Sequence, residues 1–219
     1  MMKIKGVIFD MDGVLVDTEI PSFNAFKTVM KDYGYSMDMK FYLTLIGRNV
    51  KACKKLFMDF YGDDIPFDEI YKKKRKISID TVDNTPNIAK KGLDDIMRYL
   101  KDNGYKIAVA TSTSRGRASE LLDRIGVLNI SDYLICGDQV VNSKPNPEIF
   151  LKAAAGLKLD VDNCLVIEDS DAGVIAASRA SIKSIQVPDL KKLEKTNENL
   201  PIAVLNDLSE VKEYLIKNN

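Results

Sequence analysis

Not one histidine occurs among the 219 residues, so the side chain that most often moves protons near neutral pH is missing. Any acid–base chemistry falls to a carboxylate, Lys, Tyr, Cys or metal-bound water. Cysteine is scarce as well: Cys53, Cys136 and Cys164 stand far apart, with no CxxC pair. Without histidine to complete a ligand set they do not make a zinc site, and they read as buried, reduced thiols. No apolar run approaches the roughly 20 residues that a membrane-spanning helix needs. After Lys3 and Lys5, the stretch Gly6-Val7-Ile8-Phe9 is too short for the apolar part of a signal peptide. A soluble, cytoplasmic chain with no membrane partner is the expectation. Neither sign of charge is in excess, with 32 Lys plus Arg against 32 Asp plus Glu, so no global positive field exists to gather nucleic acid. The local exception, Lys72-Lys73-Lys74-Arg75-Lys76, follows Phe67, Ile70 and Tyr71 at helical spacing and reads as a solvated helix face.

What is present is an apolar fraction of 45%, enough for a substantial core. Val7-Ile8-Phe9, Ile107-Ala108-Val109-Ala110 and Cys164-Leu165-Val166-Ile167 are short apolar runs, each ending at polar or acidic residues. Such runs read as parallel strands buried on both faces. Leu134-Ile135-Cys136, Ser184-Ile185-Gln186-Val187 and Ala203-Val204-Leu205 add further strands, with helical periodicity between, as in Leu93 to Lys101 and Ala118 to Ile125. Alternation of strand and helix implies an α/β fold with a doubly wound parallel sheet. Between about Thr18 and Thr85 the period changes: Phe23, Phe26, Val29, Met30, Leu56, Phe57 and Phe60 recur at three and four residues, broken at Gly34-Tyr35 and Gly62-Asp63-Asp64. The expected organisation is a core of residues 1–17 and 85–219, with an all-helical insertion of three or four helices over 18–84.

Four elements carry chemistry. The first strand runs into Asp10-Met11-Asp12-Gly13, and residues two apart in an extended chain point to one side. Two converging carboxylates at the carboxyl end of a strand repel unless a cation or proton intervenes, which points to a hard metal ion; a plain strand-to-turn element is the alternative. The strand ending at Ala110 opens into Thr111-Ser112-Thr113-Ser114, where hydroxyls and free amides before a helix suit an anion, although one of them is expected to serve as a cap. In Ser143-Lys144-Pro145-Asn146-Pro147-Glu148, Asn146 can cap and Pro147 can occupy the first helical position, so that Lys144 is aimed by a stiff turn. Finally, Leu165-Val166-Ile167-Glu168-Asp169-Ser170-Asp171-Ala172-Gly173 is a buried strand ending in adjacent acids, which also suit the positive end of the helix that follows.

Joined in this order, the four elements resemble the haloacid dehalogenase superfamily, in particular its β-phosphoglucomutase-like phosphatases with a helical cap. The resemblance covers nearly the whole chain. It implies that Asp10 attacks phosphorus and becomes an aspartyl phosphate, while Asp12 protonates the leaving alkoxide and then deprotonates the hydrolytic water. It implies Mg²⁺ held by the Asp10 carboxylate, the Asp12 carbonyl and Asp169, with Glu168 close behind. Thr111, the Ser112 amide and Lys144 would hold the phosphoryl oxygens, whose spread negative charge requires positive charge and positioning.

The second aspartate argues for an oxygen–phosphorus substrate, since relatives that cleave carbon–halogen bonds lack it. Phosphosugar mutases are the closer rival. Where they carry His this chain has Ser22, and where they carry a cap Lys and Arg it has Ile46 and Val50, so hydrolysis is favoured. Glu19, Ser22, Gly47, Arg48 and Asn49, with neighbouring Thr18, are candidates for facing substrate, and the stretch around Gly47 reads equally as a turn between helices. Arg115 is a candidate for an anionic substrate tail, and Arg117 for plain surface. The expectation is thus a monomeric, Mg²⁺-dependent phosphatase of small phosphorylated metabolites, sugar or nucleotide monophosphates. The alternatives are a mutase, or a non-enzymatic receiver-like phosphate-sensing module.

Overall fold

The computed structural model describes residues 3–46 and 50–218. Among them a six-stranded, all-parallel sheet is built from β1 (Gly6–Phe9), β2 (Lys106–Thr111), β3 (Tyr133–Cys136), β4 (Cys164–Glu168), β5 (Lys183–Gln186) and β6 (Ala203–Val204). Their order is β3-β2-β1-β4-β5-β6. All four residues of β1 and all five of β4 are buried, as strands covered by helices on both faces require. The doubly wound α/β architecture expected from the alternating pattern is the one observed.

Helices α5 (Leu93–Asp102), α6 (Arg115–Arg124), α7 (Glu148–Leu157), α8 (Asp171–Arg179) and α9 (Leu208–Asn218) alternate with the strands. Ile149, Phe150, Ala153, Ala154 and Leu157 of α7, recurring at three and four residues, close over Ile8, Ala108, Ala110 and Val166 of the central strands. The chain leaves β1 in one direction towards β2 and β3 and returns on its other side as β4. The carboxyl ends of β1 and β4 therefore flank the point where strand order reverses, which is where open α/β sheets form their crevice.

The chain divides into two compact units, one of them Asp17–Ile88 and the other made of the flanking segments up to Val16 and from Ala89. The unit Asp17–Ile88 contains α1 (Glu19–Asp32), α2 (Met39–Leu43), α3 (Val50–Tyr61) and α4 (Phe67–Asn84). Its centre is aromatic: the fully buried Phe57 ring lies 5.4 Å from Phe26, 5.3 Å from Phe41 and 4.9 Å from Phe67, centroid to centroid. Offset and edge-on arrangements of this kind add to the burial itself. Phe60, although in step with the apolar period, is 63% exposed and packs sideways on Phe41 and Tyr61. In the basic run of α4, Lys74 lays its ammonium 4.7 Å over the Phe26 ring and Lys73 lies 4.7 Å over Tyr33, so two of these charges shield the aromatic face. No helix among the described residues is long and apolar enough to cross a membrane.

Candidate active site

Asp10 directly follows β1 and still belongs to its ladder, because its N–H donates to the Ile167 carbonyl of β4 at 2.9 Å. The chain then turns sharply: the N–H groups of Leu15 and Val16 both reach the Met11 carbonyl, at 2.9 and 3.1 Å, and Gly13 N–H reaches Val16 at 2.9 Å. Gly13 has φ of +83°, and a Cβ there would stand 2.6 Å from Asp169 Oδ2. Only glycine lets the turn after β1 approach the acid after β4 so closely. Asp12, inside this turn, accepts from the Thr113 hydroxyl at 2.8 Å and from the Thr111 hydroxyl at a long 3.4 Å, both on Oδ2.

Thr111 is fully buried at the end of β2, where its hydroxyl oxygen accepts from Thr113 N–H at 3.0 Å. Ser112 is exposed, and its backbone rests on Gly137, where a Cβ would come within 2.2 Å of the Ser112 carbonyl oxygen. The segment carrying Lys144 is pinned from both sides. The Glu148 carboxylate accepts from Val141 N–H at 3.0 Å and Asn142 N–H at 2.9 Å. Asn146 Oδ1 caps α7 by accepting from Glu148 N–H at 3.0 Å, and Arg179 donates to the Pro145 carbonyl at 3.0 Å. Held in this way, the Lys144 ammonium donates to Asp10 Oδ1 at 2.5 Å, Glu168 Oε1 at 2.6 Å and the Ala110 carbonyl at 3.2 Å. It lies 4.9 Å over the Phe150 ring.

Glu168 faces inward at the end of β4 and is fully committed. Besides Lys144, it accepts on Oε2 from Asp169 N–H at 2.9 Å, Ser170 N–H at 3.0 Å and the Ser170 hydroxyl at 3.0 Å. The Ser170 oxygen in turn caps α8 by accepting from Gly173 N–H at 3.1 Å. A Cβ on Gly173 would fall 1.8 Å from the Glu168 carboxyl carbon, so the glycine leaves the space that the carboxylate fills. Asp169, just beyond β4, joins Asp10 and Glu168 in a buried group whose carboxylate oxygens lie within 4.8 Å of one another.

Asp12 lies close enough to act on Asp10, so four carboxylates stand near one another, two of them bound to the Lys144 ammonium. Burial pushes Asp10 up to about 8, with Glu168 and Asp12 adding to the rise and Lys144 opposing it. Burial pulls Lys144 down, but the charges and hydrogen bonds of Asp10 and Glu168 outweigh it and leave the ammonium well above its ordinary value. The two shifts point opposite ways for the pair, and the charge count reconciles them. One ammonium shared by two carboxylates stays charged, and the surplus negative charge is felt at Asp10. A donor set of carboxylate oxygens, with surplus negative charge and no thiolate or imidazole among them, fits a hard divalent cation.

Glu19 accepts from the Tyr42 hydroxyl at 2.5 Å, and Ser22 is half-buried in the first turn of α1. Gly47, Arg48 and Asn49 lie outside the described residues. Arg115 is not drawn into the cluster: its guanidinium donates to the Leu134 carbonyl at 3.3 Å and to Gln139 Oε1 at 3.0 Å. The reason is the open edge of β3, whose carbonyls need donors. Sequence reasoning singled out neither Thr113 nor Gly173. For Thr113 a signal existed, since it stands two residues beyond Thr111. Gly173 closes the run Glu168-Asp169-Ser170-Asp171-Ala172-Gly173, but a glycine in the first turn of a helix does not announce which side chain needs its space.

The sequence model of the haloacid dehalogenase-like hydrolase family matches residues 7–187. The chain is 31% identical over 186 residues to a phosphorylated carbohydrates phosphatase of Thermotoga maritima, covering 83% of this chain and 84% of that protein. It is 27% identical over 189 residues to a fructose-1-phosphate phosphatase of Escherichia coli, covering 84% and 97% respectively. Among solved structures, a β-phosphoglucomutase from Clostridium difficile superimposes with a TM-score of 0.79 at 26% identity, over 98% of this chain and 96% of that one.

Two outcomes follow from the packing and the charge. Gly→Ala in a helix ordinarily stabilises by about 1 kcal/mol. At Gly173 the sign reverses, and thermal unfolding of Gly173→Ala should show a loss of about 1–3 kcal/mol from overpacking against Glu168. For Asp10, a folded-state value of about 8 against an ordinary 3.8 means that its contribution to stability is present at low pH and lost as pH rises to about 8. With a chelator present, Asp10→Asn should therefore melt close to the parent at pH 4 and clearly above it at pH 8. An Asn variant that melts lower at pH 8 would contradict this.

Proposed function

The chain belongs to the haloacid dehalogenase-like hydrolase family, and from that premise we propose that it is a Mg²⁺-dependent phosphatase of small phosphorylated metabolites. Phosphorylated sugars are the favoured substrates, because relatives named for phosphorylated carbohydrates and fructose 1-phosphate align over more than four fifths of the chain. The observation that carries the reading is the buried Lys144 ammonium, within hydrogen-bonding distance of Asp10 and next to an acid cluster suited to a hard cation.

Asp10 is the nucleophile in this reading. Its carboxylate oxygen forms a bond to phosphorus as the bond to the alcohol oxygen breaks. Asp12 gives its proton to the departing alkoxide, then takes one from the water whose oxygen displaces Asp10 from phosphorus. Lys144, the Thr111 hydroxyl and the Ser112 amide hold the non-bridging oxygens and keep the group in line for attack. The Asp10 and Asp169 carboxylates and the Asp12 carbonyl would hold Mg²⁺, which when bound supplies charge to offset that of the phosphoryl oxygens. Glu168 serves as the fixed counter-charge of Lys144. The helical segment 18–84 is assigned to substrate selection, and the chain acts as a monomer in this reading.

The mutase reading draws on the likeness to β-phosphoglucomutase, and the identities of Ser22, Ile46 and Val50 weigh against it. Incubation of the pure protein and Mg²⁺ with a panel of sugar phosphates should release inorganic phosphate. Chelation should abolish the release, and Asp10→Asn should lower it by about 10⁴-fold or more, as expected when a covalent step is removed. Interconversion of hexose 1- and 6-phosphates without net phosphate release would establish a mutase. Full activity in Asp10→Asn would overturn both.

A further inference from the structure

The hydroxyl-rich stretch after β2 does not serve the helix it precedes. Ser114, the residue before α6, makes no side-chain capping bond, and the N–H of Arg115 is taken by the Asp138 carboxylate at 3.1 and 3.2 Å. Thr113 turns away from that helix start and donates to Asp12 Oδ2 at 2.8 Å. Its own N–H fixes the Thr111 hydroxyl oxygen at 3.0 Å, and that hydroxyl addresses the same Oδ2 at 3.4 Å. The Thr113 carbonyl is anchored in turn by Gly137 N–H at 3.0 Å. Gly137 admits no Cβ beside Ser112, so the backbone that aims the hydroxyl has little freedom.

The geometry points to Thr113 as the positioning residue for proton transfer by Asp12, a role that rests on the acid–base part proposed above for Asp12. A hydroxyl that donates to one carboxylate oxygen holds the carboxyl plane in one orientation and disfavours a proton on the oxygen it addresses. With Thr113 donating to Oδ2, Oδ1 is the oxygen left to carry the proton that Asp12 transfers. From there it passes to the alcohol oxygen as the oxygen–phosphorus bond breaks and the Asp10–phosphorus bond forms, and in the second step Oδ1 takes a proton from the attacking water. No other reactant is needed. Thr113 itself touches neither phosphorus nor the leaving oxygen in this account.

A residue that orients the acid matters in proportion to how much the leaving group needs a proton. An alkoxide departs only with help, whereas p-nitrophenolate departs unaided, so the two classes separate positioning from general damage. The experiment compares kcat/KM, with Mg²⁺, for an alkyl monoester such as glucose 6-phosphate and for p-nitrophenyl phosphate, in the parent, Thr113→Val, Thr113→Ser and Asp12→Asn. Thr113→Val should lose about 10- to 100-fold on the alkyl ester and less than about 3-fold on the aryl ester, the scale of one hydrogen bond to a charged group. Thr113→Ser, which keeps the hydroxyl, should recover the alkyl activity to within about 3-fold. Equal losses on both esters, or no loss on either, would overturn the role of Thr113 while leaving the phosphatase intact. Should Asp12→Asn fail to discriminate between the esters, the acid–base assignment of Asp12 falls, and this inference with it.

Discussion

The ammonium of Lys144, shared between Asp10 and Glu168 at 2.5 and 2.6 Å, is the contact on which the rest of the site depends. Its three donors go to Asp10, Glu168 and the Ala110 carbonyl, and the ammonium itself lies over the Phe150 ring of the core. Burying these charges is costly unless every one finds a partner. The surrounding sequence meets that demand: Glu168 takes four donors, and Gly173 leaves the room for it to do so. A lone Lys–Asp pair would be neutral. The additional acids make the site negative, and this surplus is what a divalent cation and a proton on a carboxylate would balance.

That arrangement draws on three strand ends and one loop. β1 delivers Asp10, β2 delivers Thr111, β4 delivers Glu168 and Asp169, and the turn before α7 delivers Lys144. They meet because β1 lies between β2 and β4 at the reversal of strand order. The same parallel ladder that buries Val7, Ile8 and Phe9 sets the height at which the polar residues emerge. Folding and placement of the chemistry are thus one process, since a register slip in β1 would exchange Asp10 for Met11 in the crevice.

Much of this could be read from the chain alone, and for physical reasons. The central strands β1, β2 and β4 announce themselves because a strand covered on both faces must be apolar, as in Cys164-Leu165-Val166-Ile167. The period of two pointed to Asp10 and Asp12 as neighbours, although a turn rather than extended strand carries Asp12, and the prolines around Lys144 marked it as aimed. Side-chain choices made in three dimensions stayed hidden. Adjacent acids at 168 and 169 do not reveal that both join one buried cluster while only the first anchors the lysine. Four hydroxyls after β2 do not say which is turned to Asp12, and Arg115 looked available because nothing in the sequence shows the open edge of β3 that occupies it. The residues 47–49, where substrate contacts were expected, lie outside the described structure.

The central claim is that Asp10 becomes covalently phosphorylated, and trapping that adduct tests it most directly. Rapid acid quench of the protein turning over a sugar phosphate with Mg²⁺, followed by proteolysis and mass spectrometry, should find one phosphoryl group on the peptide bearing Asp10, sensitive to hydroxylamine and absent in Asp10→Asn. Phosphate release with no such adduct, or an adduct on any other side chain, would contradict the account.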